Sequence, residues 1–343
     1  MSPWSARSPA FVPSRDRIDA LKSLGYTRRE AAFLALAALH SGYFLRRQYQ
    51  TFVGYRGKVE ESLLERASTL SHFRSTIYPN RTEVYHILAR AIYRAIGDED
   101  NRNRRPRPVF SIKAKLMALD FVLAHPAARF LATEREKLEY FCGQGGVDRA
   151  LLPGKTYAAS SPSDQTRRYF IEKYPIYLDR TDDAIPALAS FCYVDEGVLS
   201  NSGFTSFLKR YGPLFAALAR FRLVYVAAEH KPFRRAERAF DRFTEALANP
   251  ESATPGGQMG EYFRLRRLFD TRQYGQLNKV KLDRLRDLSQ RFQHSAAESR
   301  FKQWTKYVDT KTPLGRVDAR FEAYRLPHSY DIFGTHPGPK SDA

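Results

Sequence analysis

Between Leu70 and Phe73 the chain changes its periodicity, and that change restricts the fold more than any other feature. Upstream, Val59, Leu63, Leu64, Ala67 and Leu70 fall on one stripe at helical spacing. Downstream, His72 to Tyr78 and Glu83 to Leu88 are β-prone segments separated by Pro79-Asn80-Arg81-Thr82, a hairpin signal. Two helices precede the stripe. Thr27-Arg28-Arg29-Glu30 is a capping-box pattern, so a helix starts there with Ala31, Leu34, Leu36 and Leu39 on its apolar side and Gly42 at its end. Leu45 to Phe52, closed by Gly54, supplies the second. Three helices followed by a hairpin predict a winged helix-turn-helix at residues 25–100, behind a loose tail and leading helix at 1–24.

Such a module places its third helix in the major groove and its wing on the flanking backbone. The helix offers Lys58, Ser62, Arg66 and Thr69, and the wing offers Arg74, Asn80 and Arg81. Arg104 and Arg105 follow in a basic stretch, and all of these side chains suit phosphate or base-edge contact. Glu60, Glu61 and Glu65 on the same helix repel phosphate. Winged helices also serve as protein-interaction modules, so both uses stay open. Charge favours a polyanion: 56 Lys and Arg against 37 Asp and Glu give +19 over 343 residues. Residues 1–108 hold 19 basic and 10 acidic side chains, 109–255 hold 20 and 17, and 256–343 hold 17 and 10. Basic character therefore sits at the two ends, and double-stranded DNA is the expected partner.

Other chemistry is thinly represented. Cys142 and Cys192 alone supply neither a disulfide framework nor a multi-thiolate metal site, which predicts a reducing, cytoplasmic setting. The most apolar window, Ala31 to Leu45, is shorter than the roughly 20 residues of a membrane span and is flanked by arginines, so no membrane partner is expected. The eight histidines lack zinc-site spacing, and no Gly-x-x-x-x-Gly-Lys-Ser/Thr loop occurs. Gly143-Gln144-Gly145-Gly146 reads as a plain loop.

The Pro-containing stretch Asn101 to Pro108 reads as a linker. Beyond it come an apolar helix at Ile112 to Leu123, a second helix capped by Thr133, and strands at Arg168 to Leu178 and Leu188 to Val194. A helix from Phe204 to Ala219, a buried-type strand from Arg222 to Ala228 and a charged helix from Pro232 to Leu247 complete an α/β sandwich with a small mixed sheet at 109–250. After Pro255-Gly256-Gly257, residues 256–325 read as a basic helical appendage and 326–343 as an irregular tail.

The predicted winged helix, then Tyr193-Val194-Asp195-Glu196-Gly197, then Phe204-x-x-Phe207-Leu208-Lys209-Arg210-Tyr211, then the strand Leu223 to Ala227, together resemble the replication-relaxation family of bacterial mobile elements over roughly residues 25–245. The resemblance implies an α+β fold: an N-terminal winged helix-turn-helix, a restriction-endonuclease-like α/β domain and, beyond the likeness, the basic helical C-terminal region. It implies a duplex-DNA-binding accessory or regulator of plasmid or mobile-element replication or transfer, with replication or transfer proteins as further partners. Asp195, Lys209 and Tyr211 match the family pattern, whereas Tyr193 stands where a glutamate is expected. The domain is therefore expected to be inactive, with no cofactor. Two alternatives remain: a Mg²⁺-dependent nuclease using Asp195, Glu196 and Lys209, helped by Glu172 or Asp179, and a protein-interaction scaffold.

Overall fold

The computed structural model describes residues 13–55, 57–157, 166–172, 174–179, 188–197, 200–248, 257–294, 297–298, 301–302, 304–305 and 318–330. They form two compact units: residues up to 237 together with 319–330, and residues 238–318. The tail expected at 326–343 lies outside the described residues beyond Tyr330.

The first unit opens with α1 (Arg15–Lys22) and α2 (Arg28–His40). At the start of α2 the Glu30 N–H donates to the Thr27 hydroxyl at 3.4 Å, and the Thr27 N–H donates to the Glu30 carboxylate at 2.8 Å. This reciprocal pair satisfies two of the helix's free N-terminal donors. A short strand β1 (Tyr43–Phe44), α3 (Arg46–Val53) and α4 (Val59–Thr69) follow, with Gly54 in the left-handed conformation closing α3. The hairpin then forms from β2 (Phe73–Ile77) and β3 (Glu83–Ile87), in register from Phe73 opposite Ile87 to Ile77 opposite Glu83. β1 pairs with the other side of β3, giving the sheet order β1-β3-β2. α5 (Arg90–Ala95) ends this region.

The segment expected as a linker is packed. Arg102–Arg104 form a turn of 3-10 helix, and Asn101 and Asn103 are buried. The Asn103 side-chain amide donates to the carbonyls of Ala38 and Leu39, and the His86 ring donates from Nε2 to the Asn103 carbonyl at 3.0 Å. Pro and Arg content suggested a solvated spacer; two buried asparagines with satisfied amides made it a fixed strut.

α6 (Val109–Ala124) explains why the two sides of that strut share one core. Every residue from Leu116 to Leu123 is buried, and all but Asp120 are apolar, so the helix has no solvent face along that stretch, whereas Lys113 and Lys115 in the preceding turn are half-buried. It packs on α2, α3 and β1 on one side and on β8 on the other. The sheet it covers is ordered β10-β9-β8-β7-β4, from β4 (Arg129–Phe130), β7 (Ile176–Leu178), β8 (Ala189–Asp195), β9 (Arg220–Ala227) and β10 (Asp318–Arg325). β4, β7 and β8 are antiparallel neighbours, and β8 runs parallel to β9 through the crossover helix α8 (Ser200–Ala217). Strand alternation divides β8: Cys192 and Val194 join the core on the α6 side, while Phe191 and Tyr193 meet Phe215 and Phe204 of α8. β10 corrects the sequence expectation. Residues 318–325 were assigned to a helical appendage, yet they form an edge strand of this sheet. Apart from the sheet stand α7 (Glu134–Leu138), capped by Thr133, and a two-stranded ribbon of β5 (Gly154–Tyr157) and β6 (Thr166–Tyr169).

The second unit follows from α9 (Phe233–Ala248) and contains α10 (Gly257–Asp270) and α11 (Lys279–Phe292), the predicted basic helical pair. Phe263, Leu288, Phe301 and Trp304 make its small core, and the Arg266 guanidinium lies 4.2 Å from the Phe301 ring centre while pairing with Glu298. Among the described residues no helix is long and apolar enough to cross a membrane.

One buried carboxylate ties three parts of the first unit. Asp120 of α6 accepts both arms of the Arg47 guanidinium of α3, at 2.8 and 2.7 Å, and the hydroxyl of Tyr330 near the end of the described chain. Removing one member leaves the others desolvated and unpaired, so Asp120→Ala should cost about 3–5 kcal/mol in urea unfolding. Tyr330→Phe should cost only about 1 kcal/mol, one hydrogen bond. Acid also weakens this unit. Burial lowers the pKa of His72, His86 and His125, so the unfolded chain binds more protons than the folded one below about pH 6.5. Stability should be full above that pH and fall as the pH is lowered toward 5, with a shallower fall in His86→Gln, as followed by urea midpoints.

Candidate nucleic-acid interface

The face predicted for groove contact is built on α4, and the structure divides its nominated residues. Glu30 of α2 is buried and lies against α4. It accepts the Ser62 hydroxyl at 3.3 Å, and the Arg66 Nε lies 3.4 Å from its carboxylate. These two side chains, expected to face DNA, anchor α4 to α2. The apolar stripe did not reveal this, because a capping glutamate has a second oxygen free for a partner distant in sequence. Lys58 is exposed and pairs with Glu61 at 3.3 Å, while the Thr69 hydroxyl turns back to the Glu65 carbonyl at 3.0 Å. Glu61 and Glu65 are exposed, and Glu60 is buried, accepting from the Gln50 amide.

The hairpin residues nominated for backbone contact lie at the surface. Arg74, Asn80 and Arg81 are exposed, and Arg81 sits at the hairpin tip with a left-handed φ of 59°. At the base of the hairpin, Arg46 donates to Glu83 and to the Tyr85 hydroxyl, both at 2.9 Å, and this network raises the Arg46 pKa chiefly through the Glu83 hydrogen bond. Sequence reasoning passed over Arg28 and Arg29. Both are exposed in the first turn of α2, immediately before the glutamate that holds α4. Their position in a capping box was read only as a helix start.

Arg104 and Arg105 separate. The Arg104 side chain is half-buried, whereas Arg105 is exposed at a cleft of about 1,100 Å³. What fixes this turn is Gly42, at φ +82°: a Cβ there would come within 2.5 Å of the Asn103 carbonyl oxygen.

The alternative site on the sheet is largely used up by the protein itself. Asp195, at the end of β8, accepts the Tyr225 hydroxyl at 2.5 Å on one oxygen and the Gly197 N–H at 2.9 Å on the other. Tyr174, Tyr193 and Phe207 crowd the same face, and burial raises the pKa of Tyr174, Tyr193 and Tyr225. Burial, reinforced by Asp195, also raises the pKa of the half-buried Glu196, with Lys113 opposing. Glu172 pairs with Arg210, and Asp179 pairs with Arg222 at 3.3 Å. Lys209 is exposed on α8, and Tyr211 is a core residue against Phe207. Among the described residues no three His, Cys, Asp or Glu side chains converge as metal ligands would. Cys142 and Cys192 are free thiols.

Gly42→Ala tests the mounting of the arginine turn: the added methyl meets backbone at a strained φ, so it should cost about 1–3 kcal/mol in urea unfolding. Compared with protein-family models, curated proteins and solved structures, this chain matches none of them.

Proposed function

We propose that this protein binds duplex DNA without cleaving it, as an accessory or regulatory component of plasmid or mobile-element replication or transfer. The observation that carries this reading is the order α2, α3, α4 and hairpin, with β1 adding to the hairpin as a third strand. That arrangement supports a winged helix-turn-helix. Its cationic groups lie on the wing and at the start of α2, so phosphate contact is assigned to Arg28, Arg29, Arg74 and Arg81 and the groove face to the exposed part of α4. The link to mobile elements rests on the family resemblance noted above. The mixed sheet with a parallel β8–β9 pair suits the restriction-endonuclease-like part of that resemblance, and the two hydrogen bonds that occupy Asp195 favour a non-catalytic role over a Mg²⁺-dependent one.

A second reading, a protein-interaction scaffold, is favoured by three exposed apolar side chains around the same module: Tyr55 at 61 %, Leu70 at 41 % and Ile77 at 71 %. The two readings part on salt. Four phosphate contacts give duplex affinity a log–log salt slope of roughly −3.6, and Arg74→Ala with Arg81→Ala should bring it to about −1.8. Duplex binding measured by fluorescence anisotropy across a salt series checks this. Absent binding, or binding with no salt dependence, overturns the DNA reading. A slope untouched by the double substitution removes the wing from the interface.

A further inference from the structure

We propose that the cleft between residues 97–105 and 132–171 is a site for single-stranded nucleic acid, distinct from the duplex interface. Six cations line it: Arg102, Arg105, Arg135, Lys137, Arg149 and Arg168. Arg105, Arg135 and Arg149 are exposed, and none of these three has an ion-pair partner among the described residues. The cleft also holds four carboxylates, of which two are committed to the protein. Asp98 accepts from the Asn101 amide at 2.8 Å, and Glu134 accepts the Tyr169 N–H at 3.1 Å and lies 3.9 Å from the Arg168 guanidinium. Asp100 and Glu139 remain on the wall, so positive charge is in excess.

The ribbon beside the cleft gives a second, independent indication. Antiparallel pairing sets Lys155 of β5 directly opposite Arg168 of β6, and both are exposed. Like charges in this position repel across the strands, and the exposed contact of Arg168 with Glu134 at 3.9 Å offsets this only in part. Neighbouring cations lie on aromatic faces instead of on carboxylates: Arg102 is 4.7 Å from the Tyr157 ring centre, and Arg167 is 5.3 Å from that of Tyr169. A polyphosphate strand would relieve the repulsion. Tyr169, half-buried in the cleft wall, is a ring on which a base can stack.

Size and polarity choose among anionic ligands. A volume of about 1,100 Å³ lies above the range of small-molecule pockets, which are mainly apolar, whereas this lining is rich in charge. A duplex keeps its bases stacked on one another inside the helix, so it has no free base to offer a ring in the wall. A single strand can lay successive phosphates along the arginines with a base against Tyr169.

The test compares two probes on the full chain by fluorescence anisotropy: a labelled oligothymidylate of about 16 nucleotides and a blunt duplex. Arg135→Glu with Arg149→Glu should weaken oligothymidylate binding about tenfold or more and reduce its salt slope by about 1.4, leaving duplex affinity unchanged. Asp100→Asn, which removes a carboxylate from the same wall, should tighten oligothymidylate binding, an outcome that misfolding cannot imitate. The proposal is overturned if the wild-type chain fails to bind oligothymidylate at low salt, or if these variants bind it as the wild type does. Equal weakening on both probes would make the cleft part of the duplex interface and also overturn it. Oligothymidylate binding by a chain that ignores duplex would sustain this site and remove the winged-helix reading instead.

Discussion

The first unit depends on a carboxylate that is almost wholly removed from water. Asp120 projects from the buried, mainly apolar half of α6, and it is tolerated there because Arg47 binds both of its oxygens while Tyr330 donates to one. The desolvation of the charge is offset chiefly by the bidentate guanidinium, and the Tyr330 hydroxyl adds one further hydrogen bond. The node thus requires α3, α6 and the segment after β10 to be positioned together. The Arg47 guanidinium also lies 5.5 Å from the Tyr330 ring centre, so the aromatic supports the cation as well as the anion. Arg17 acts in a similar way between α1, α5 and α7, donating to the Ile96 carbonyl and to Glu136. Apolar burial makes this core stable, and these charged contacts set which surfaces meet.

Local chemistry was legible in the sequence, and long-range chemistry was not. Thr27 and Glu30 announce a helix start because both capping hydrogen bonds close within four residues, and Thr133 with Glu136 does the same. Gly54 marks a helix end because α3 needs a left-handed residue there. β10 carried no comparable mark. Asp-Ala-Arg-Phe-Glu-Ala-Tyr-Arg alternates polar and apolar residues at the edge of a sheet whose adjacent strand lies about ninety residues upstream, beyond any local window. The same limit hid the packing of Asn101 to Pro108. A segment rich in Arg and Pro reads as solvated until Asn103 is seen to donate to helix α2 more than sixty residues away.

The candidate interface shows how one side chain can carry a second, structural contact. Ser62 and Arg66 have the chemistry of DNA contacts and remain exposed and half-buried respectively, yet both also reach the buried Glu30. A charge desolvated inside a protein needs its partners far more than a solvated phosphate needs one more cation. The hairpin arginines Arg74 and Arg81 extend from a strand and a turn, and among the described residues no buried carboxylate pairs with them. The same reasoning applies to Asp195: once Tyr225 and Gly197 occupy its oxygens, an incoming cation must displace existing hydrogen bonds before it gains a ligand.

The turn at Arg102–Arg104 joins these themes. Its underside is fixed by Asn103 on α2, by His86 of β3 and by the absence of a side chain at Gly42. Its outer side carries Arg102, resting on Tyr157, and leads to Arg105 at the cleft. A cation on a loose linker would lose conformational freedom each time it met an anion, and that loss subtracts from affinity. Holding the backbone of this turn through buried amide hydrogen bonds removes most of the loss in advance. The segment therefore serves the cleft better as a strut than it could as a flexible connection, and its burial and its basic composition cease to conflict.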